Sequence, residues 1–66
     1  MVVKFENSQG IQSEIGTAEN LESAFKIINK FLDDHHFKSY YTRLYAHEDH
    51  YWVDVGSHIE FFYIYF

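Results

Sequence analysis

Histidine is the residue in this chain best suited to move a proton or hold a metal ion, and the chain has five: His35, His36, His47, His50 and His58. His47 and His50 bracket Glu48 and Asp49, three positions apart. A helical zinc site sets its two histidines four apart on one helix face. The spacing here belongs to a turn, where Asp49 or His58 could join the pair. Zinc wants three or four ligands at about 2.0–2.2 Å, and nothing in the pattern completes that set. These are read as turn residues, with no metal and no cofactor expected. A metal-supported structural dimer module is the alternative they leave open.

Ser57, His58 and Glu60 are the residue types of a hydrolytic triad. A triad is defined by convergence, and neighbours on a strand point to opposite faces. Asp54 and Glu60 could oppose each other across a hairpin, which is a like-charge pair rather than an acid–base couple. The chain has no cysteine nucleophile, no glycine-rich phosphate loop and no G-x-S-x-G. Sixty-six residues also enclose a deep pocket with difficulty. No enzymatic activity is expected.

The aromatic residues point elsewhere. Trp, Tyr and Phe make up 21% of the chain, and they crowd its last third, YWVDVGSHIEFFYIYF from Tyr51 to Phe66. Apolar groups there occupy both alternating positions, so strands in this segment are greasy on both faces and need cover on both. Only one helix is legible to supply it. The uncovered side is read as a protein-binding face formed by Tyr40, Tyr41, Trp52, Asp54, Glu60 and Phe62. Trp52, Phe62 and whichever of Tyr40 or Tyr41 shares their side are the anchors, since aromatics dominate interface hot spots. Asp54 and Glu60 would complement a basic partner. The same face could close a symmetric homodimer, which is the expected state. As an alternative, Tyr40, Tyr41, Tyr45, Trp52, Phe62 and Tyr63 could stack nucleic-acid bases. No Lys or Arg follows Arg43, which disfavours direct nucleic-acid binding, because phosphate contacts supply most of that affinity.

The elements that must carry these residues read as follows. Val2–Phe5 is a short strand, Asn7-Ser8-Gln9-Gly10 a turn, and Ile11–Ile15 the second arm of a hairpin. Leu21, Ala24, Phe25, Ile28, Phe31 and Leu32 recur at helical steps and draw one apolar stripe. Thr17 or Asn20 can cap its start, and fraying is expected near Asp34-His35-His36, where two aspartates oppose the helix dipole. Phe37–Ala46, His50–Val55 and His58–Phe66 read as three further strands. A two-residue loop at Gly56-Ser57 would set Trp52 beside Phe61 and Val53 beside Glu60. A three-residue loop, Gly56-Ser57-His58, would gather Tyr51, Val53, Val55, Ile59, Phe61, Tyr63 and Tyr65 on one side. The second is preferred because it separates one clean core face. The expected fold is α+β: an antiparallel sheet of three to five strands with one helix packed on one face.

Sixty-six residues without a linker make one domain, residues 1–66. A domain this short buries only about 60% of its unfolded surface, so it leans on dense packing or oligomerisation. The absence of cysteine suits the cytoplasm. No run approaches the roughly 20 apolar residues of a membrane span, and MVVKFENS lacks the apolar core of a secretory leader. Formal net charge is −5.

The segments FKSYYTRLY (Phe37 to Tyr45) and WVDVGSHIEFFYI (Trp52 to Ile64), with a helix before them, resemble small proteins encoded by phages and mobile elements of Gram-positive bacteria. That resemblance implies an anti-defence or host-takeover role, of the anti-CRISPR kind, in which a tiny acidic protein binds and blocks a host or defence protein in the host cytoplasm. Some such inhibitors imitate DNA with carboxylates. Here ten acids are diluted by five bases and much aromatic surface, which favours protein binding over mimicry.

Overall fold

The structure, a computed structural model, describes residues 1–37, 41–57 and 59–66. The elements along the chain are β1 (Val2–Glu6), β2 (Gln12–Thr17), α1 (Leu21–Asp34), β3 (Arg43–Ala46), β4 (His50–Asp54) and β5 (Phe61–Tyr65). The first hairpin is turned by Asn7, whose Oδ1 accepts the amides of Gln9 at 2.9 Å and Ile11 at 3.0 Å. Gly10 completes the turn at φ 78°, a conformation that costs glycine little. The pairing of β1 with β2 skips from Val3↔Gly16 to Lys4↔Glu14, so Ile15 stands unopposed in a bulge.

Asn20 is the residue that caps α1. Its Oδ1 accepts the Ser23 amide at 2.9 Å, and Ser23 Oγ accepts the Asn20 amide at 3.3 Å. This reciprocal box satisfies two amides that the first turn would otherwise leave bare. The helix buries Ala24, Ile28 and Leu32, flanked by half-buried Leu21, Phe25, Ile27 and Phe31. Its end is closed by backbone hydrogen bonds. His36 turns left-handed at φ 56°, and the amides of His36 and Phe37 close back onto the carbonyls of Asp33 (3.2 Å) and Leu32 (2.9 Å). This is the Schellman stop, with histidine in the place glycine usually takes.

The five strands form one antiparallel sheet in the order β2-β1-β5-β4-β3, and α1 packs on one side of it. The α+β architecture read from the sequence is therefore the observed one. Val3, Val53, Phe62 and Ile64 from the sheet meet Ala24, Ile28 and Leu32 from the helix in the core, with Val55 beside them. The helix lies along β2 and β1, off-centre. Gly16 permits this approach, since a Cβ there would sit 3.1 Å from Ile27 Cδ1. As a consequence β3 is uncovered. Leu44 keeps 41% of its surface exposed although it pairs with the buried Val53.

Each strand differs at a limit from the sequence reading: β1 ends one residue later, β2 runs on to Thr17, β4 ends one residue earlier, and β3 and β5 differ most. β3 holds only Arg43–Ala46 of the expected Phe37–Ala46, and Phe37 instead follows the helix stop; residues 38–40 lie outside those described. β5 begins at Phe61 rather than His58. The preferred register is also corrected. Val53 pairs with Phe62 and Trp52 with Tyr63, so Tyr51, Val53 and Val55 share their side with Phe62 and Ile64, not with Phe61, Tyr63 and Tyr65. The cause is the connection 55–60, which is no tight hairpin loop. Asp54 Oδ1 accepts the Gly56 amide at 2.9 Å, and Ser57 Oγ accepts the amides of Ile59 (3.3 Å) and Glu60 (3.1 Å). These side-chain bonds build a wider turn that admits extra residues before β5 starts.

Candidate protein-binding face

On the side of the sheet opposite α1, cross-strand pairing fixes what stands beside what. Arg43 faces Asp54 and Tyr45 faces Trp52 across β3 and β4. Trp52 faces Tyr63 and His50 faces Tyr65 across β4 and β5. Lys4 faces Tyr63 on one side and Glu14 on the other. The aromatic groups touch in sequence. Ring centres lie 5.1 Å apart for Tyr45 and Trp52, 5.0 Å for Trp52 and Phe61, and 5.2 Å for His50 and Tyr65. Such contacts contribute about 0.5–1.5 kcal/mol each beyond simple burial. They also leave every ring except Tyr45 half-buried by its neighbours alone, because no described element roofs this side. The result is a continuous aromatic band across three strands.

Polar groups anchor the band at both ends. The Tyr63 hydroxyl donates to Glu6 Oε1 at 3.2 Å, and the Tyr65 hydroxyl donates to Gln12 Oε1 at 3.2 Å. Burial, with the Glu6 carboxylate adding to it, pushes the Tyr63 phenol above the ordinary tyrosine range. Lys4 Nζ sits 5.3 Å from the Tyr65 ring centre, and the Arg43 guanidinium 4.6 Å from that of Tyr41. Among the described residues Glu6, Glu14, Asp49 and Asp54 outnumber these two bases around the band, so its described rim is acidic.

Three of the six residues expected to form the binding face come together here. Trp52 is at the centre of the band. Asp54 is at its edge, and the Tyr41 hydroxyl stands 3.4 Å from Asp54 Oδ2. Phe62 is a correction: it is fully buried under the helix, on the opposite side of the sheet from Trp52. Glu60 is a second correction, since it lines a cavity on the helix side together with Phe5 and Phe62. Both follow from the register, because a shift of one residue sends every side chain of a strand to the other face. Tyr40 lies outside the described residues. Phe61, Tyr65 and His50 belong to the band and were not among the expected face residues. The two-residue loop, which set Trp52 beside Phe61, carried the signal for the correct side.

The other constellations resolve into structure. His47 and His50 stack at 4.7 Å across the β3–β4 turn, and the Asp49 carboxylate holds His50 Nδ1 at 2.7 Å. The His50 contact keeps the Asp49 carboxyl below the ordinary aspartate range. Among the described residues no three His, Cys, Asp or Glu side chains are grouped to hold a metal ion. Ser57 Oγ is occupied with backbone amides and is 3.5 Å from Glu60 Oε1, while His58 lies outside the described residues. No described helix is long and apolar enough to cross a membrane. The face offers aromatic contact area, cation–π pairs and carboxylates. The chain matches no protein-family model, no curated protein and no solved structure.

Proposed function

We infer that this chain is a non-enzymatic binding protein of the phage anti-defence type, which docks on a host or defence protein in the cytoplasm and inhibits or modulates it. The observation that carries the reading is the aromatic band from Tyr45 through Trp52 to Phe61 and Tyr63, which no described element roofs. Rigid aromatics at the centre of a face, with polar groups at its rim, are the composition of interface hot spots. The acidic rim favours a basic partner surface. The small cysteine-free chain and its resemblance to phage and mobile-element proteins supply the biological setting. The same band, closed on a second copy, makes the homodimer part of this reading.

The test is plaque formation on bacteria carrying an active CRISPR system, with and without the protein expressed. Expression is expected to restore plaques. Trp52→Ala combined with Tyr45→Ala is expected to abolish the effect while leaving a cooperative melt. No restoration by the parent protein defeats the defence reading, and full activity of the double variant defeats the face.

A further inference from the structure

A cavity of about 150 Å³ opens on the helix side of the sheet, the side away from the aromatic band. Phe5 and Phe62 form its floor, Leu32 and Phe37 its helix-side wall, and Val55, Ser57 and Glu60 the wall from the β4–β5 connection. It shares no residue with the aromatic band. A cavity of that size lined by apolar groups accepts a molecule about as large as benzene.

Three features give this cavity a sign. First, Glu60 is half-buried in its wall, and among the described residues its carboxylate has no cationic partner, only the Ser57 hydroxyl at 3.5 Å. Second, Leu32 belongs to the last turn of α1, where the helix dipole is negative. That turn carries Asp33 and Asp34 and no base to offset them. Third, the rings of Phe5, Phe37 and Phe62 surround the space, and an aromatic ring attracts a cation to its face. A neutral apolar guest would use the rings and leave the carboxylate unanswered. An anion would meet negative charge from two sides.

We propose that this cavity is a binding site for a small alkylammonium ion, its chain among the phenylalanines and its ammonium group at Glu60. The site is independent of the binding face. His35 stacks on Phe31 at 4.0 Å and faces Phe37 at 5.9 Å, so a further ring adjoins the cavity wall.

The experiment titrates the whole chain with n-butylammonium chloride and, separately, with 1-pentanol as its neutral counterpart, following the ring proton resonances of Phe5, Phe37 and Phe62. Saturable shifts are expected with butylammonium at millimolar concentrations, at least tenfold tighter than with the alcohol. Glu60→Gln is expected to erase that preference and leave the alcohol's affinity unchanged. Val55→Phe, which fills the space, is expected to remove both responses while the amide spectrum stays folded. The proposal is overturned by the absence of saturable shifts with butylammonium, by equal affinity for alcohol and amine, or by a preference that survives in Glu60→Gln.

Discussion

Phe62 and Trp52 sit on adjacent strands with like chemistry and opposite jobs. Phe62 is fully buried between β1, β4 and α1, with Phe5 at 5.3 Å and Phe31 at 5.7 Å from its ring. Truncating such a residue costs about 3–5 kcal/mol, because the lost transfer energy adds to a cavity that cannot collapse. That is a large part of the roughly 5–15 kcal/mol that holds a small domain together. Trp52 is only half-buried, on a side of the sheet that no described element roofs, so its removal is expected to open no enclosed void. Phe62→Ala is therefore expected to be largely unfolded at 37 °C, while Trp52→Ala keeps a cooperative urea transition. Circular dichroism in urea decides it, and equal midpoints would contradict the two placements. Asp49 supplies a pH-dependent contrast. Its carboxyl is held low by His50, so the folded state keeps it ionised to a lower pH than the unfolded chain does. The resulting stabilisation is present above about pH 4, the ordinary aspartate range, and is lost as pH falls through the folded value. Asp49→Asn should lower the urea midpoint slightly at pH 5.5 and not at pH 2.5. A difference that persists undiminished in acid would mean that the carboxylate's charge is not involved.

Among the elements, α1 was the most legible, because apolar residues at three- and four-residue steps can satisfy only a helical period. Its capping residue narrowed to Thr17 or Asn20, and the distinction was made by Ser23, three places after Asn20, whose hydroxyl answers the cap. Its end was less legible. Asp33 and Asp34 oppose the dipole, yet the helix stops in a closed Schellman turn because Phe37 packs back on Phe5 and Phe31. That turn forces His36 to φ 56°. A left-handed residue with a Cβ costs roughly 1–2 kcal/mol, and glycine avoids this at an entropic loss of about 0.5–1 kcal/mol. His36→Gly is thus expected to stabilise the protein by about 0.5–1 kcal/mol, which in a domain this small raises Tm by a few degrees. A lowered Tm in a calorimetric scan would show that His36 makes contacts worth more than its strain. The strands themselves were legible from aromatic and β-branched runs, but their pairing was not. Register in β4 and β5 is set by Asp54 and Ser57 capturing backbone amides, and such bonds leave no periodic trace. For that reason Trp52 and Asp54, two places apart on one strand, share a side as alternation requires, while Phe62 and Glu60, placed across a turn, lie on the other.

At the scale of the molecule, net charge and the aromatic band make opposing demands. The chain carries a formal charge of −5, and Glu6, Glu14, Asp49 and Asp54 bring part of it to the margin of the band. Two copies meeting through this face would bring like charges together, while a basic partner would neutralise them. Salt acts on the two cases with opposite sign. Screening at about 0.5 M shortens the Debye length from about 10 Å at 0.1 M to under half of that, removing repulsion between copies and attraction to a base alike. Self-association through the band should therefore strengthen with salt, since apolar contact remains while repulsion fades. Binding to a basic protein, or to the salt-bridged rim of one, should weaken. Binding to single-stranded nucleic acid should fall more steeply still, through loss of counterion release. Sedimentation velocity of the pure protein at two concentrations, in 0.05 M and 0.5 M NaCl, reads the first of these directly. A shift toward dimer with added salt is expected, and Tyr45→Ala with Trp52→Ala should hold the protein as a monomer in both buffers. A dimer that dissociates as salt is raised would be joined by charge pairs, and the aromatic band would not be its interface.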